Sequence, residues 1–135
     1  MIVCGYDGTP GSHAGLTEAL KLAKDIGSDL TVVFAYARSG LPTEMKDLDD
    51  AVKARAEVVL KEAQSEAAAV GVTAHAEFRR GEPAETLIEA ADASDARYIV
   101  VGSYGERPLK SALVGSTPSR LLHLSDRPVV VVRVE

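Results

Sequence analysis

Two kinds of apolar segment take strict turns along this chain, and that alternation constrains its fold more than any other feature. Ile2 to Tyr6, Leu30 to Ala35, Thr73 to Phe78, Tyr98 to Val101 and Val129 to Val134 are short runs, most of them rich in β-branched residues, of strand length. Between them the apolar residues fall at helical spacing. Leu16, Ala19, Leu20, Ala23 and Ile26 share one face, with Ser12 as candidate N-cap and Gly27 as the stop. Leu48, Val52, Ala56, Val59, Leu60, Ala63, Ala67 and Val70 repeat the pattern up to Gly71. Ala84, Leu87, Ile88 and Ala91 form a third face behind Pro83, and Ser119 to Leu124 a fourth, with Thr117 as N-cap and Pro118 at the first helical position.

The order β-α-β-α-β-α-β-α-β calls for right-handed crossovers and one parallel sheet covered on both faces. The expected architecture is a doubly wound, five-stranded α/β fold with strand order 3-2-1-4-5. Composition agrees: 20 Ala, 16 Val, 13 Leu and 4 Ile against two Phe, four Tyr and no Trp suit strands buried between helix layers. The segment Tyr36 to Lys46, with Gly40 and Pro42, reads as a surface loop. Asp47, Asp49 and Asp50 read as the solvated, dipole-favoured start of the second helix rather than a metal site.

At 135 residues the chain matches one domain, expected over 1–135, with a core that needs no staples. A net charge of -5 disfavours a long nucleic-acid footprint. No apolar run reaches the roughly 20 residues of a membrane span, and Met1 leads directly into Ile2-Val3-Cys4 without a basic n-region. Cys4 stands alone, so an intrachain disulfide framework is excluded. The expectation is a cytoplasmic protein that contacts neither membrane nor nucleic acid.

Open α/β sheets bind ligands beyond the carboxyl ends of the strands where the strand order reverses, here between strands one and four. Asp7-Gly8-Thr9-Pro10 follows strand one. After strand four come Gly102-Ser103-Tyr104-Gly105, nine residues, then Gly115-Ser116-Thr117 opening a helix. Glycines let backbone amides approach an anion, and a hydroxyl-bearing helix start is a ready phosphate site. As glycines in a loop they are equally ordinary turn residues. The segment is neither a Walker loop nor the Gly-x-Gly-x-x-Gly turn after a first strand.

The spacing Gly-2x-Gly-9x-Gly-(Ser/Thr), met by Gly102, Gly105, Gly115 and Ser116, resembles the nucleotide-binding pattern of the universal stress protein family. The resemblance spans the chain: Cys4-Gly5-Tyr6-Asp7-Gly8-Thr9 is similar to the family's opening strand and acidic turn, Gly81 to Ile88 to its third-helix entry, and Asp126 to Val132 to its closing strand. It implies a Rossmann-like fold of the adenine nucleotide alpha hydrolase type that binds ATP, with Mg²⁺, as a regulatory stress-response protein. By the same resemblance Asp7 contacts the nucleoside, Ala35 leaves room for adenine, Gly102 and Gly105 pass under the phosphates, and Gly115, Ser116 and Thr117 hold them. A homodimer through Val129 to Val134 is implied as well, in keeping with an apolar strand at a sheet edge.

Asp7 has a second reading, a local Asx turn with Gly8 and Thr9, and Ser116 and Thr117 are also plain capping residues. Glu106, Arg107 and Pro108 depart from the small residues common in the family: Glu106 would repel phosphate if it pointed inward, Arg107 and Lys110 would attract it, and Pro118 removes an amide from the helix start. No catalytic base stands near the glycine loop, so the chain is at most a slow ATP hydrolase. His13, His75 and His123 are scattered without metal-ligand spacing. The competing readings are a nucleotide-independent interaction dimer and, more weakly, an enzyme on the same plan.

Overall fold

The computed structural model describes residues 1–37, 42–104 and 115–134. In chain order the elements are β1 (Ile2–Gly5), α1 (Pro10–Ile26), β2 (Leu30–Tyr36), α2 (Pro42–Ala69), β3 (Ala74–Arg80), α3 (Pro83–Ser94), β4 (Tyr98–Gly102), α4 (Ser116–Leu124) and β5 (Val129–Val132). The strands form one sheet in the order β3-β2-β1-β4-β5, every pair parallel. β1 and β4 are therefore neighbours, with Ile2, Val3 and Cys4 opposite Tyr98, Ile99 and Val100.

Alternation along each strand divides the core into two layers. Ile2, Cys4, Leu30, Val32 and Val100 pack under α1 and α2. Val3, Val33, Ile99 and Val101 pack under α3 and, through Leu121, α4. Ile2, Val3, Leu30, Ile99 and Leu121 have no exposed surface, and each burial stabilises the fold by about 1.5–3 kcal/mol. Alanine fills the helix faces at Ala19, Ala23, Ala56, Ala63 and Ala67, which lets α1 and α2 lie close on the sheet.

Local chemistry sets the helix ends, and here several expectations need correction. The N-cap of α1 is Thr9, whose hydroxyl accepts from the Ser12 amide, with Pro10 following it; Ser12 is buried inside the first turn. Gly27 closes α1 in the left-handed conformation at φ 66°, as expected of a glycine stop. α2 starts at Pro42, earlier than the acidic cluster. Asp49 is 4% exposed and pairs with Arg80 Nε at 3.5 Å, so it is not part of a solvated helix start. The strand periods also shift: β3 extends to Arg80, while β5 ends at Val132.

α3 begins at Pro83 as expected, capped by Glu82, whose carboxylate accepts from the amides of Ala84 (3.2 Å) and Glu85 (2.9 Å). α4 begins differently from the sequence expectation. Its N-cap is Gly115, so Ser116 and Thr117 already lie in the first turn and Pro118 is the third helical residue. Proline is tolerated throughout a first turn because those amides have no intrahelical acceptor, so Pro118 marked the turn but not the residue. Among the described residues no helix is long and apolar enough to cross a membrane.

Candidate functional site

The switch between β1 and β4 opens into a cleft of about 390 Å³, within the range of small-ligand pockets. Its walls are chemically unequal. On one side Val33 and Ala35, successive inward residues of β2, face Pro83 and Leu87 of α3. Gly5 carries no side chain there, and a Cβ would come within 3.1 Å of Leu87 Cδ1. Together these groups make an apolar slot suited to a flat ring. On the other side stand Asp7, Ser12, Tyr104 and the start of α4.

Asp7 is fixed by its own loop. Its Oδ1 accepts from the Thr9 amide at 3.0 Å, the Thr9 hydroxyl at 2.5 Å and the Ser12 hydroxyl at 2.7 Å. Ser12 Oγ in return accepts from the Asp7 amide at 3.2 Å. The turn requires Gly8 at φ 83°, with Val59 of α2 directly behind it. The Asx-turn reading is therefore realised on Oδ1. No described residue donates to Oδ2, which leaves that oxygen as an acceptor in a cleft-lining residue.

The start of α4 supplies donors. The Gly115 amide is already committed to the Ser103 carbonyl at 2.6 Å, and Pro118 has none to give. Within the first turn this leaves the amides of Ser116 and Thr117, with their hydroxyls, where the helix dipole favours an anion. Among the described residues no side chain caps this end. Asp7 is the one charged residue among the described lining residues, and the anion donors that those residues supply are amides and hydroxyls.

Gly102 lines the cleft, but its lack of a side chain answers a demand on its other side: a Cβ would overlap the carbonyl oxygen of Gly11 in α1. The structure thus brings Asp7, Ala35, Gly102, Gly115, Ser116 and Thr117 to one cleft. Gly105, Glu106, Arg107, Pro108 and Lys110 lie outside the described residues. The sequence reading passed over Val33, Pro83, Leu87 and Tyr104. Val33 was reachable from Ala35 by the two-residue strand period, whereas Pro83 and Leu87 carry only the signals of a helix start and a core face.

Other groups are accounted for by packing. Burial pushes the Cys4 thiol up to about 12, so it stays protonated and unreactive. Burial, reinforced by Glu66 and Glu62, also raises the Tyr6 phenol. His13 pairs with Glu66 at 2.9 Å and His75 with Asp29 at 3.2 Å, both at the surface. Among the described residues no cluster of three or more His, Cys, Asp or Glu side chains could hold a metal ion.

Comparison with known proteins places this geometry. The sequence model of the Universal stress protein family matches residues 1–133. Universal stress protein YxiE of Bacillus subtilis is 29% identical, over 98% of this chain and 97% of its own length. The structure of universal stress protein UspA from Lactobacillus plantarum superposes with a TM-score of 0.88 at 24% identity, covering 98% of this chain and 96% of that one. A crystal structure of a universal stress protein in complex with cAMP matches with a TM-score of 0.78 at 26% identity, covering 99% and 97% of the two chains.

Proposed function

The chain belongs to the universal stress protein family, and from that membership we propose that it binds an adenine nucleotide, ATP, as a regulatory stress-response protein. One observation carries the reading: at the β1–β4 switch an apolar slot, a carboxylate with an open oxygen and a hydroxyl-bearing helix start line a single cleft. Adenine fits the slot between Ala35 and the Pro83–Leu87 side. The ribose hydroxyls donate to Oδ2 of Asp7. The phosphates take the amides and hydroxyls of Ser116 and Thr117, with Gly102 beneath them and Gly115 clearing their approach. The related structure holding cAMP supports an adenine nucleotide as the ligand class.

Mg²⁺ fits this donor set as an ion that arrives on the phosphates and keeps much of its water. One carboxylate and a few hydroxyls do not make a protein cage for it. The ion would offset phosphate charge. The chain's own residues position the nucleotide, and no described lining residue is placed as a base for an attacking water. We read the protein as a binder, with slow hydrolysis as its ceiling.

The same proposal takes residues 1–135 as one cytoplasmic domain that pairs with a second copy through the last strand. β5 is the terminal strand of the sheet, and its four valines are each partly exposed. Beside it α4 leaves Leu122 59% and Leu124 49% exposed. An apolar edge of this kind invites strand pairing.

Mass spectrometry of small molecules released from protein purified without added nucleotide tests the ligand. An adenine nucleotide at near-stoichiometric yield, or one that binds at millimolar concentration with Mg²⁺, is the expected result. Protein that is empty and takes up none would leave the nucleotide-independent interaction dimer as the better reading.

A further inference from the structure

The closest backbone approaches at the described glycines lie not in the apolar core but where α1 meets the exit of β4. A Cβ at Gly11 would overlap the Tyr104 carbonyl oxygen and lie 3.2 Å from the Tyr104 ring. A Cβ at Gly102 would overlap the Gly11 carbonyl oxygen and lie 2.6 Å from its carbon. One turn along α1, a Cβ at Gly15 would lie 3.0 Å from the Gly102 nitrogen and 3.1 Å from the Val101 carbonyl carbon. Backbone has no alternative rotamer, so a methyl group here must displace the helix, the loop, or both.

This junction is connected at both ends to the cleft. On the α1 side, Ser12 and Thr9 hold Oδ1 of Asp7. On the β4 side, the Ser103 amide donates to Val132 at 2.8 Å, and the Ser103 carbonyl accepts the Gly115 amide at 2.6 Å. Gly115 is the N-cap of α4, whose next two amides are the proposed phosphate donors. Asp7 and the α4 start are far apart in sequence, and these contacts join them.

We infer that Gly11 and Gly15 are positioning residues of the nucleotide site. By letting α1 touch the backbone of Val101 to Tyr104, they set the separation between the Asp7 carboxylate and the α4 amides. The inference rests on the nucleotide reading given above. It also makes a claim that reading does not: a substitution on α1, outside the cleft lining, weakens the grip on phosphate more than the grip on the nucleoside, whose base slot it leaves in place. Val33, Ala35, Pro83 and Leu87 belong to β2 and α3, which the displacement of α1 against β4 leaves in place.

The test is the ratio of AMP affinity to adenosine affinity, measured by titration for the wild type, Gly11→Ala and Gly15→Ala. Adenosine fills the slot and meets Asp7 but carries no phosphate. Gly11→Ala is expected to reduce the AMP-to-adenosine ratio on the order of tenfold, the worth of one or two charge-assisted hydrogen bonds. Gly15→Ala, the milder intrusion, lowers the ratio less and keeps the test decisive if Gly11→Ala does not fold. General loosening of the fold would weaken both ligands equally and leave the ratio unchanged, and an unchanged ratio in a folded variant overturns the inference. If the wild type binds neither AMP nor adenosine, the nucleotide reading itself fails and this inference falls with it.

Discussion

At Asp7, two roles that compete on paper occupy different atoms. Oδ1 closes the turn after β1 through three donors, and Oδ2 stays open in the cleft-lining carboxylate. The residue type and its place after a strand were legible in the sequence. The division between the oxygens was not, because it depends on Ser12 folding back from the first turn of α1. Removing that hydroxyl strips Oδ1 of a buried donor. Ser12→Ala is therefore expected to cost about 1–3 kcal/mol in urea unfolding, whereas a cost near zero would mean that the network carries no weight.

Cys4 offers a second check at the same scale. A thiol raised to about 12 is neutral in the fold. Because the folded value exceeds the unfolded one, the protein binds more protons when folded, and this contribution to stability is lost as pH rises above about 9. Alkylation of the native protein at pH 8 should be far slower than in urea; equal rates would contradict the burial of β1.

At the scale of elements, the helices differ in how firmly they are held. α1 buries Leu16, Ala19, Leu20 and Ala23 as well as its first-turn residues, whereas α4 spans nine residues and buries only Pro118 and Leu121. The donors of the proposed phosphate position thus ride on the lightly anchored helix. Leu121→Ala should destabilise the protein by about 2–5 kcal/mol and speed hydrogen exchange at the amides of α4 before those of α1. Uniform acceleration would indicate that α4 is not an independently loosened unit.

Element existence was readable from period, but element ends were less so. α1 starts earlier than Ser12 because Thr9 competes for the cap, and hydroxyl residues at both positions are chemically equivalent from sequence. α2 starts before its acidic cluster because a helix can begin at any proline that tolerates a first turn. The buried Asp49 illustrates the remaining limit: its pairing with Arg80 joins residues far apart in sequence, and local charge pattern carries no trace of it.

For the whole molecule, alternation with right-handed crossovers narrowed the topology to a few doubly wound sheets, and the order 3-2-1-4-5 is the one that also agrees with the family resemblance. The strand order then fixes the cleft at β1 and β4 and leaves β5 terminal. From that edge the expected solution mass is twice 14.2 kDa by light scattering, and a single-chain mass across the micromolar range would contradict pairing through β5. The glycine spacing pointed to the end of the sheet where the cleft opens. It could not reveal that Gly102 faces α1, because a glycine looks the same whether a ligand or a helix needs the space.

Nucleotide binding at the β1–β4 cleft is the central claim, and a calorimetric titration of ATP with Mg²⁺ into the wild type and Gly115→Phe tests it most directly. A Cβ at Gly115 already lies 3.2 Å from the Ser103 carbonyl oxygen and 3.3 Å from Tyr104 Cα, so a phenyl group has to enter the cleft or displace the α4 start. Saturable binding by the wild type, with at least tenfold weaker affinity in the folded variant, is the predicted result. Undiminished ATP affinity in Gly115→Phe, or no saturation of the wild type at millimolar ATP, would contradict the account.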